Sequence, residues 1–152
     1  MLAIAIMIGL VLSLFLVDIL GLAAGGMVVP GYIALFMDKP VRVGFTLLSA
    51  FLALLTLKLI SSYALIYGKR RLVLVILLGF IYGYLIRFFI EGYLPGFSGF
   101  ADPIGFIIPG LIAYWMERQG IIETILTMSI VAVIVRLLLI IINGGRPIEM
   151  AF

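Results

Sequence analysis

Val29-Pro30-Gly31-Tyr32-Ile33-Ala34 returns 79 residues later as Ile108-Pro109-Gly110-Leu111-Ile112-Ala113, and this doubled stretch decides the fold. A glycine stands four residues before each proline, at Gly26 and Gly105. Proline removes a backbone donor and glycine removes side-chain bulk, so each copy predicts a place where the main chain leaves regular helix. The repeated Pro-Gly motif comprises Gly26, Pro30, Gly31, Tyr32, Gly105, Pro109 and Gly110.

The sequence around this motif has the composition of a membrane protein. The 152 residues are 66% hydrophobic and 11% charged, with a mean hydropathy of +1.41. The apolar runs are about 20 residues long, which is the thickness of a bilayer. The chain has no His and no Cys, and its seven acids are scattered, so the sequence predicts no bound metal and excludes zinc, haem and thiol chemistry.

Four apolar runs predict spanning helices, at residues 3–20, 41–66, 72–90 and 121–142. The two motif segments, 26–37 and 105–116, cover only about 18 Å each as helix, against a hydrocarbon core of about 30 Å. Each is therefore predicted to be a half-helix or re-entrant segment that enters from and returns to the non-cytoplasmic side. The predicted fold is an all-α integral membrane protein with one domain, residues 1–152. Its two sequence repeats, about 1–66 and 72–142, each consist of a span, a short segment and a span.

The only basic cluster, Lys69-Arg70-Arg71, predicts the orientation of the chain. By the positive-inside rule this turn is cytoplasmic, where it would also be available to dock a partner. Three basic residues between membrane-embedded segments give no reason to expect nucleic-acid binding. With re-entrant segments both termini are cytoplasmic and the repeats are parallel. The alternative, in which a short segment joins its neighbour as a broken helix, gives inverted repeats.

Ionisable residues within membrane spans are costly and are therefore candidates for function. Lys58 and Arg136 lie at similar distances from the starts of their predicted spans, which suggests an anion-attracting vestibule that opens to the cytoplasm. The alternative is that both side chains snorkel to lipid headgroups. Arg87 and Glu91 have the i, i+4 spacing of a local, structural ion pair. Asp18 has no basic residue near it in its span and needs a partner from elsewhere.

The sequence shows no catalytic constellation. A catalytic triad lacks its His, and Gly68-Lys69 has no upstream glycine-rich loop that could bind phosphate. The residues alone therefore leave three candidates. These are a small channel or carrier, a scaffold subunit of a membrane complex, and a membrane enzyme that uses only Asp, Glu, Lys and Tyr.

Five stretches of the sequence carry a resemblance to known proteins: residues 26–32, Pro40-Val41, 67–71, 105–113 and Arg118-Gln119-Gly120. In order and spacing they resemble the PgsC/CapC family, the integral membrane subunit of poly-γ-glutamate synthase complexes. The resemblance implies a role in making and exporting an anionic polyglutamate chain in a bacterial or archaeal plasma membrane. It also implies two partners, a PgsB/CapB-like ligase subunit that uses ATP and Mg²⁺ and a PgsA/CapA-like surface subunit. No cofactor is expected on this chain itself.

Two functions stay open at this stage. In the first, the chain is a noncatalytic subunit for assembly, ligase activation and export. In the second, it contributes directly to the ligase active site through Asp18, Tyr32 or the basic turn. A small-solute transporter is a weaker alternative. Four spanning helices are few to enclose a water-filled path through the membrane. Homo-oligomerisation or the partner subunits would have to supply the remaining helices around such a path.

Overall fold

The computed structural model describes residues 2–65, 67–97 and 104–146, within which the regular secondary structure is helical, with no strand. The elements are α1 (Leu2–Leu20), α2 (Val29–Phe36), α3 (Pro40–Tyr63), α4 (Lys69–Tyr93), a 3₁₀ turn (Pro95–Phe97), α5 (Ile108–Gln119) and α6 (Ile121–Ile142). Helices α1, α3, α4 and α6 are long and apolar enough to cross a membrane, which confirms the predicted all-α membrane protein with four spanning helices. The predicted end of the second span, Ile66, lies outside the described residues.

The two short helices begin at the Pro-Gly motif. Pro30 lies in the first turn of α2 and Pro109 in the first turn of α5. Proline is tolerated there because the first helical N–H groups have no partner within the helix. The motif therefore starts each short helix, and its Pro-Gly pairs are buried inside the protein.

Glycine allows each short helix to contact the preceding long helix backbone to backbone. A Cβ built at Gly31 would lie 2.9 Å from the carbonyl oxygen of Ala5 in α1. A Cβ built at Gly110 would lie 2.5 Å from Cα of Ile76 in α4. Close approach through small residues is the usual way in which membrane helices pack. The same contact thus occurs twice, with α2 against α1 and with α5 against α4.

The helices pack as two groups of three, and each group combines helices from both halves of the sequence. Helix α2 packs against α1 and α6, and α5 packs against α4 and α3. Each short helix therefore contacts the first helix of its own half and the third helix of the other half.

The contacts along α6 show in which direction the first short segment runs. A Cβ at Gly25 would lie 3.6 Å from Cγ2 of Thr124, whereas the carbonyl oxygen of Ala34 accepts a hydrogen bond from Arg136. Thr124 and Arg136 are 12 residues apart on α6, about 18 Å along its axis. The segment therefore runs in the same direction as α6.

The second short segment runs along α3 in the same way. The Ile104 N–H donates to Oγ1 of Thr46 at 2.9 Å, and Glu117 lines a pocket together with Lys58. Thr46 and Lys58 are also 12 residues apart. Each segment thus advances by about 18 Å along the third helix of the other half.

These directions place both ends of the described chain opposite the basic turn. We call the end of the bundle at which α3 ends and α4 begins the turn face, and we call the opposite end the far face. Helix α5 ends there, because Arg71 bonds Glu117, and α6 therefore begins there and ends at the far face. Helix α1 begins at the far face. Its early residue Ala5 packs on Gly31 of α2, whereas the backbone of Ala23, just after the end of α1, bonds Gln119 at the turn face. The prediction of parallel halves is therefore wrong, and the ends of the described chain, Leu2 and Arg146, lie on the side opposite to that predicted for the termini.

The predicted re-entrant path is wrong for the same reason. Irregular residues 21–28 precede α2, and together they connect the turn face to the far face. Extended chain covers up to about 3.3 Å per residue, so these eight residues supply the length that the short helix lacks. Helix α5 likewise completes a crossing from the end of α4 at the far face to the turn face. Each motif segment is the helical half of a broken crossing.

Candidate functional site

A pocket of about 580 Å³ opens at the turn face, between α3, the basic turn, α4 and α5. We call it the turn-face pocket, and its lining consists of Lys58, Tyr67, Gly68, Arg71, Tyr114, Glu117 and Arg118. The lining contains three cations and one carboxylate, so the pocket has an excess of positive charge. Its volume lies in the range of ordinary ligand sites.

The three residues of the basic turn have different surroundings. Lys69 and Arg70 are exposed at the start of α4, and with Val73 and Leu74 they line a shallow surface groove of about 450 Å³. Arg71 points into the turn-face pocket, where its Nη2 donates to Oε1 of Glu117. Of the predicted turn residues, only Arg71 belongs to the pocket.

The other two cations of the pocket have no carboxylate partner within the described ranges. Lys58 is exposed near the end of α3. The Arg118 guanidinium lies over the Tyr114 ring, 5.3 Å from its centroid, which is a cation–π distance. Both side chains are therefore available to an anionic ligand.

Arg136, the expected partner of Lys58 in a shared vestibule, lies in the far half of the bundle. Its Nη1 donates to the Ala34 carbonyl at 3.1 Å, and its Nη2 donates to Oδ1 of Asp38 at 2.5 Å. The prediction that Arg136 and Lys58 share a vestibule is wrong because α3 and α6 run in opposite directions. Equal distances from their starts therefore put the two residues near opposite faces.

The remaining membrane charges lie outside the pocket. Arg87 Nε donates to Glu91 Oε1 at 2.9 Å, with both side chains half-exposed near the end of α4. Asp18 is exposed near the end of α1, and it forms no ion pair within residues 2–65, 67–97 and 104–146. Neither the Arg87–Glu91 pair nor Asp18 contributes to the pocket lining.

The Pro-Gly motif packs the bundle and does not line the pocket. Gly26 is buried with φ 114°, a left-handed conformation that favours glycine, and Gly105 has φ 64°. Tyr32 is half-buried against the core. Gly31 and Gly110 face the backbones of α1 and α4, so the motif serves helix packing.

Gln119 holds the irregular segment before α2 in place. The N–H of Ala23 donates to its Oε1 at 2.9 Å, and its Nε2 donates to the Ala23 carbonyl and to Oγ1 of Thr124. Irregular backbone within a membrane needs such partners, because lipid supplies none. Sequence reasoning gave Gln119 no structural role. The available signal was a polar amide directly before Gly120, at the end of a short apolar helix.

No group of three or more His, Cys, Asp or Glu side chains comes together in the described part of the chain. The pocket itself contributes one acid, Glu117, and that acid is already paired. The chemistry that this site offers is therefore the binding of anions by fixed cations.

Comparison with known proteins identifies the family of this chain. The model of the family described as capsule biosynthesis CapC matches residues 8–125. The chain belongs to the CapC family. This match includes both copies of the Pro-Gly motif and all the residues that line the turn-face pocket.

Two relatives within the CapC family cover most of the chain. The PGA biosynthesis protein CapC of Bacillus subtilis (strain 168) is 32% identical over 125 residues, which are 80% of this chain and 81% of the relative. The capsule biosynthesis protein CapC of Bacillus anthracis is 35% identical over 132 residues, which are 80% of this chain and 82% of the relative. No solved structure gives a significant match.

Proposed function

We propose that this CapC family chain is the membrane subunit of a poly-γ-glutamate biosynthesis complex, and that its turn-face pocket binds carboxylates of the growing polymer. The observation that carries the proposal is the group of three cations, Lys58, Arg71 and Arg118, around one pocket. The name of the Bacillus subtilis relative supplies the polymer. A γ-linked glutamate chain has one carboxylate per residue, so neighbouring residues could contact neighbouring cations.

The membrane orientation that follows from the charges suits this function. By the positive-inside rule, the turn face with Lys69, Arg70 and Arg71 is cytoplasmic, and both ends of the described chain are then non-cytoplasmic. The pocket would then open on the side where ATP is available. ATP and Mg²⁺ belong, in this proposal, to a CapB-like ligase subunit, and a CapA-like subunit would act at the outer surface.

Contact with the ligase subunit is assigned to the exposed part of the basic turn. Lys69 and Arg70 point away from the pocket and border the groove with Val73 and Leu74. A cytoplasmic partner with an acidic surface could bind there without blocking the turn-face pocket. Docking and polymer binding are then separate tasks of adjacent residues.

We propose that the two halves are inverted repeats and that this arrangement supports export of the polymer. Support comes from the close contact that occurs twice, Gly31 against α1 and Gly110 against α4, and from the antiparallel directions of α3 and α6. Inverted repeats with broken crossings are a common design of membrane transporters. The polymer would enter at the turn face and leave at the far face, with further copies or partner subunits completing the path.

The proposal is tested in membranes that contain the whole complex. Lys58→Gln and Arg118→Gln should each lower the amount of released polymer several-fold, while glutamate-dependent ATP hydrolysis by the ligase subunit is retained. Arg87→Gln is the matched control, because it removes a half-exposed cation from α4 far from the pocket. Immunoblots of the membranes establish that all variants are equally abundant.

Two other results would change the conclusion. Unchanged polymer yield and chain length in both pocket variants would exclude the pocket from polymer handling. Loss of ATP hydrolysis together with polymer would favour the alternative, in which the chain contributes to the ligase active site. A small-solute transporter would instead retain its transport in the absence of the partner subunits.

A further inference from the structure

We infer that Glu117 is an internal occupant of the carboxylate site on Arg71, and that a carboxylate of the polymer displaces it. The inference rests on the proposed function and adds a step to binding. The Glu117 side chain presents the same chemical group to Arg71 as a glutamate polymer would. Binding is therefore an exchange of one carboxylate for another.

The contact between Arg71 and Glu117 leaves part of the guanidinium unused. Nη2 of Arg71 donates to Oε1 of Glu117. The Arg71 Nε is buried and has no hydrogen-bond partner in the part of the chain that the structure describes. Nε and Nη2 form the edge of an arginine that binds both oxygens of a carboxylate in parallel. A ligand carboxylate in the place of Glu117 could use both donors.

The two partners come from different helices and differ in exposure. Glu117 lies on α5 with a side chain 11% exposed, and Arg71 lies at the start of α4 with a side chain 31% exposed. The pair therefore forms part of the pocket wall, where the Arg71 side chain is partly exposed while its Nε is covered. An exchange at this depth needs movement of one side chain and no separation of helices.

Glu117 also sets which ligands bind well. Displacing it costs the same for free glutamate as for a polymer, because each ligand breaks one ion pair. A polymer can offset this cost with additional contacts at Lys58 and Arg118, which line the same pocket. A single glutamate reaches fewer of these cations, so the pocket favours the chain over its building block.

The test is a double-mutant cycle on the full chain in nanodiscs of zwitterionic lipid, with a fluorescent γ-linked glutamate decamer as the probe. Glu117→Gln should tighten binding about fivefold, the upper range for a partly exposed ion pair. Arg71→Gln should weaken binding. In the Arg71→Gln background, Glu117→Gln should give no gain, because there is no guanidinium left to release. Glu91→Gln, which breaks the half-exposed ion pair between Arg87 and Glu91, is the control and should leave binding unchanged.

The possible outcomes separate the two claims. An equal gain from Glu117→Gln in both backgrounds would mean a general charge effect and would overturn the exchange. Unchanged or weaker binding by Glu117→Gln, while the wild type binds, would overturn it as well. If the folded wild type does not bind the decamer, the proposed function itself fails, and the exchange fails with it. Glu117→Ala, which also removes the carboxylate, provides the same measurement if Glu117→Gln does not fold.

Discussion

Replacing Gly110 with Ala tests the contact that fixes α5 on α4. The added Cβ would lie 2.5 Å from Cα of Ile76 and 3.0 Å from the carbonyl oxygen of Val75, both backbone atoms that cannot rotate away. Ordinary carbon contacts are about 3.5 Å or longer, so the two helices would have to separate by about 1 Å. Overpacking of this kind costs about 1–3 kcal/mol, and the better helix propensity of Ala offsets up to about 1 kcal/mol of that.

The expected net loss is about 1–2 kcal/mol, which for a chain of this size lowers the melting temperature by about 2–8 °C. The assay is thermal unfolding in nanodiscs, followed by the fluorescence of the single Trp of the chain, Trp115, which lies on α5 itself. Gly44→Ala is the control, because no heavy atom lies within 4 Å of its added Cβ. Gly31→Ala, with a nearest contact of 2.9 Å, should cause a smaller loss than Gly110→Ala. Equal melting temperatures for Gly110→Ala and Gly44→Ala would refute the packing argument.

Further predictions concern the polar contacts of the bundle. Gln119→Leu should lower the free energy of unfolding by about 1–3 kcal/mol, because the N–H and the carbonyl of Ala23 lose their amide partner; an unchanged melting curve would contradict this. Arg136→Gln should destabilise the chain more than Asp38→Asn, because Arg136 also donates to the Ala34 carbonyl; equal losses would argue against that second bond. Raising the salt concentration from 50 to 500 mM should weaken decamer binding, since the cations of the turn-face pocket are partly exposed, and salt-independent binding would mean that other contacts hold the probe.

The helices were largely predictable from sequence because their signals are local. Apolar runs long enough for a bilayer predicted α1, α3, α4 and α6, with ends within a few residues of those in the structure. The Pro-Gly pairs predicted a departure from regular helix, whereas in the structure they lie in the first turn of each short helix. The path between helices was not predictable in this way. This path depends on the irregular segment 21–28, which forms no helix and therefore does not enter a length estimate based on helical rise. The backbone of Ala23 in this segment bonds Gln119, which is distant in the sequence.

The candidate site was predicted only in part, for the same reason. Lys58 and Arg71 were singled out from the cost of membrane charges and from the basic turn. Whether Arg136 lies beside Lys58 depends on the direction of α6 relative to α3. That direction depends in turn on the path of both broken crossings. Glu117 was not predicted as a site residue, and Arg118 entered only through the Arg118-Gln119-Gly120 stretch of the family resemblance, because an acid–base pair at the end of a helix is common on any protein surface. Their role emerges only when α5 brings them to the start of α4.

The central claim, a cytoplasmic pocket that holds the polymer, can be tested directly by cysteine labelling, because the native chain has no Cys. Tyr67→Cys places a thiol at an exposed position in the pocket lining and removes no cation, and Met37→Cys places one near the far face, next to Asp38. A membrane-impermeant maleimide should label position 67 only from the cytoplasmic side and position 37 only from the outside. The γ-linked glutamate decamer should slow labelling at position 67 and leave the rate at position 37 unchanged. Labelling of position 67 from the outside, or at a rate that the decamer does not change, would contradict the account.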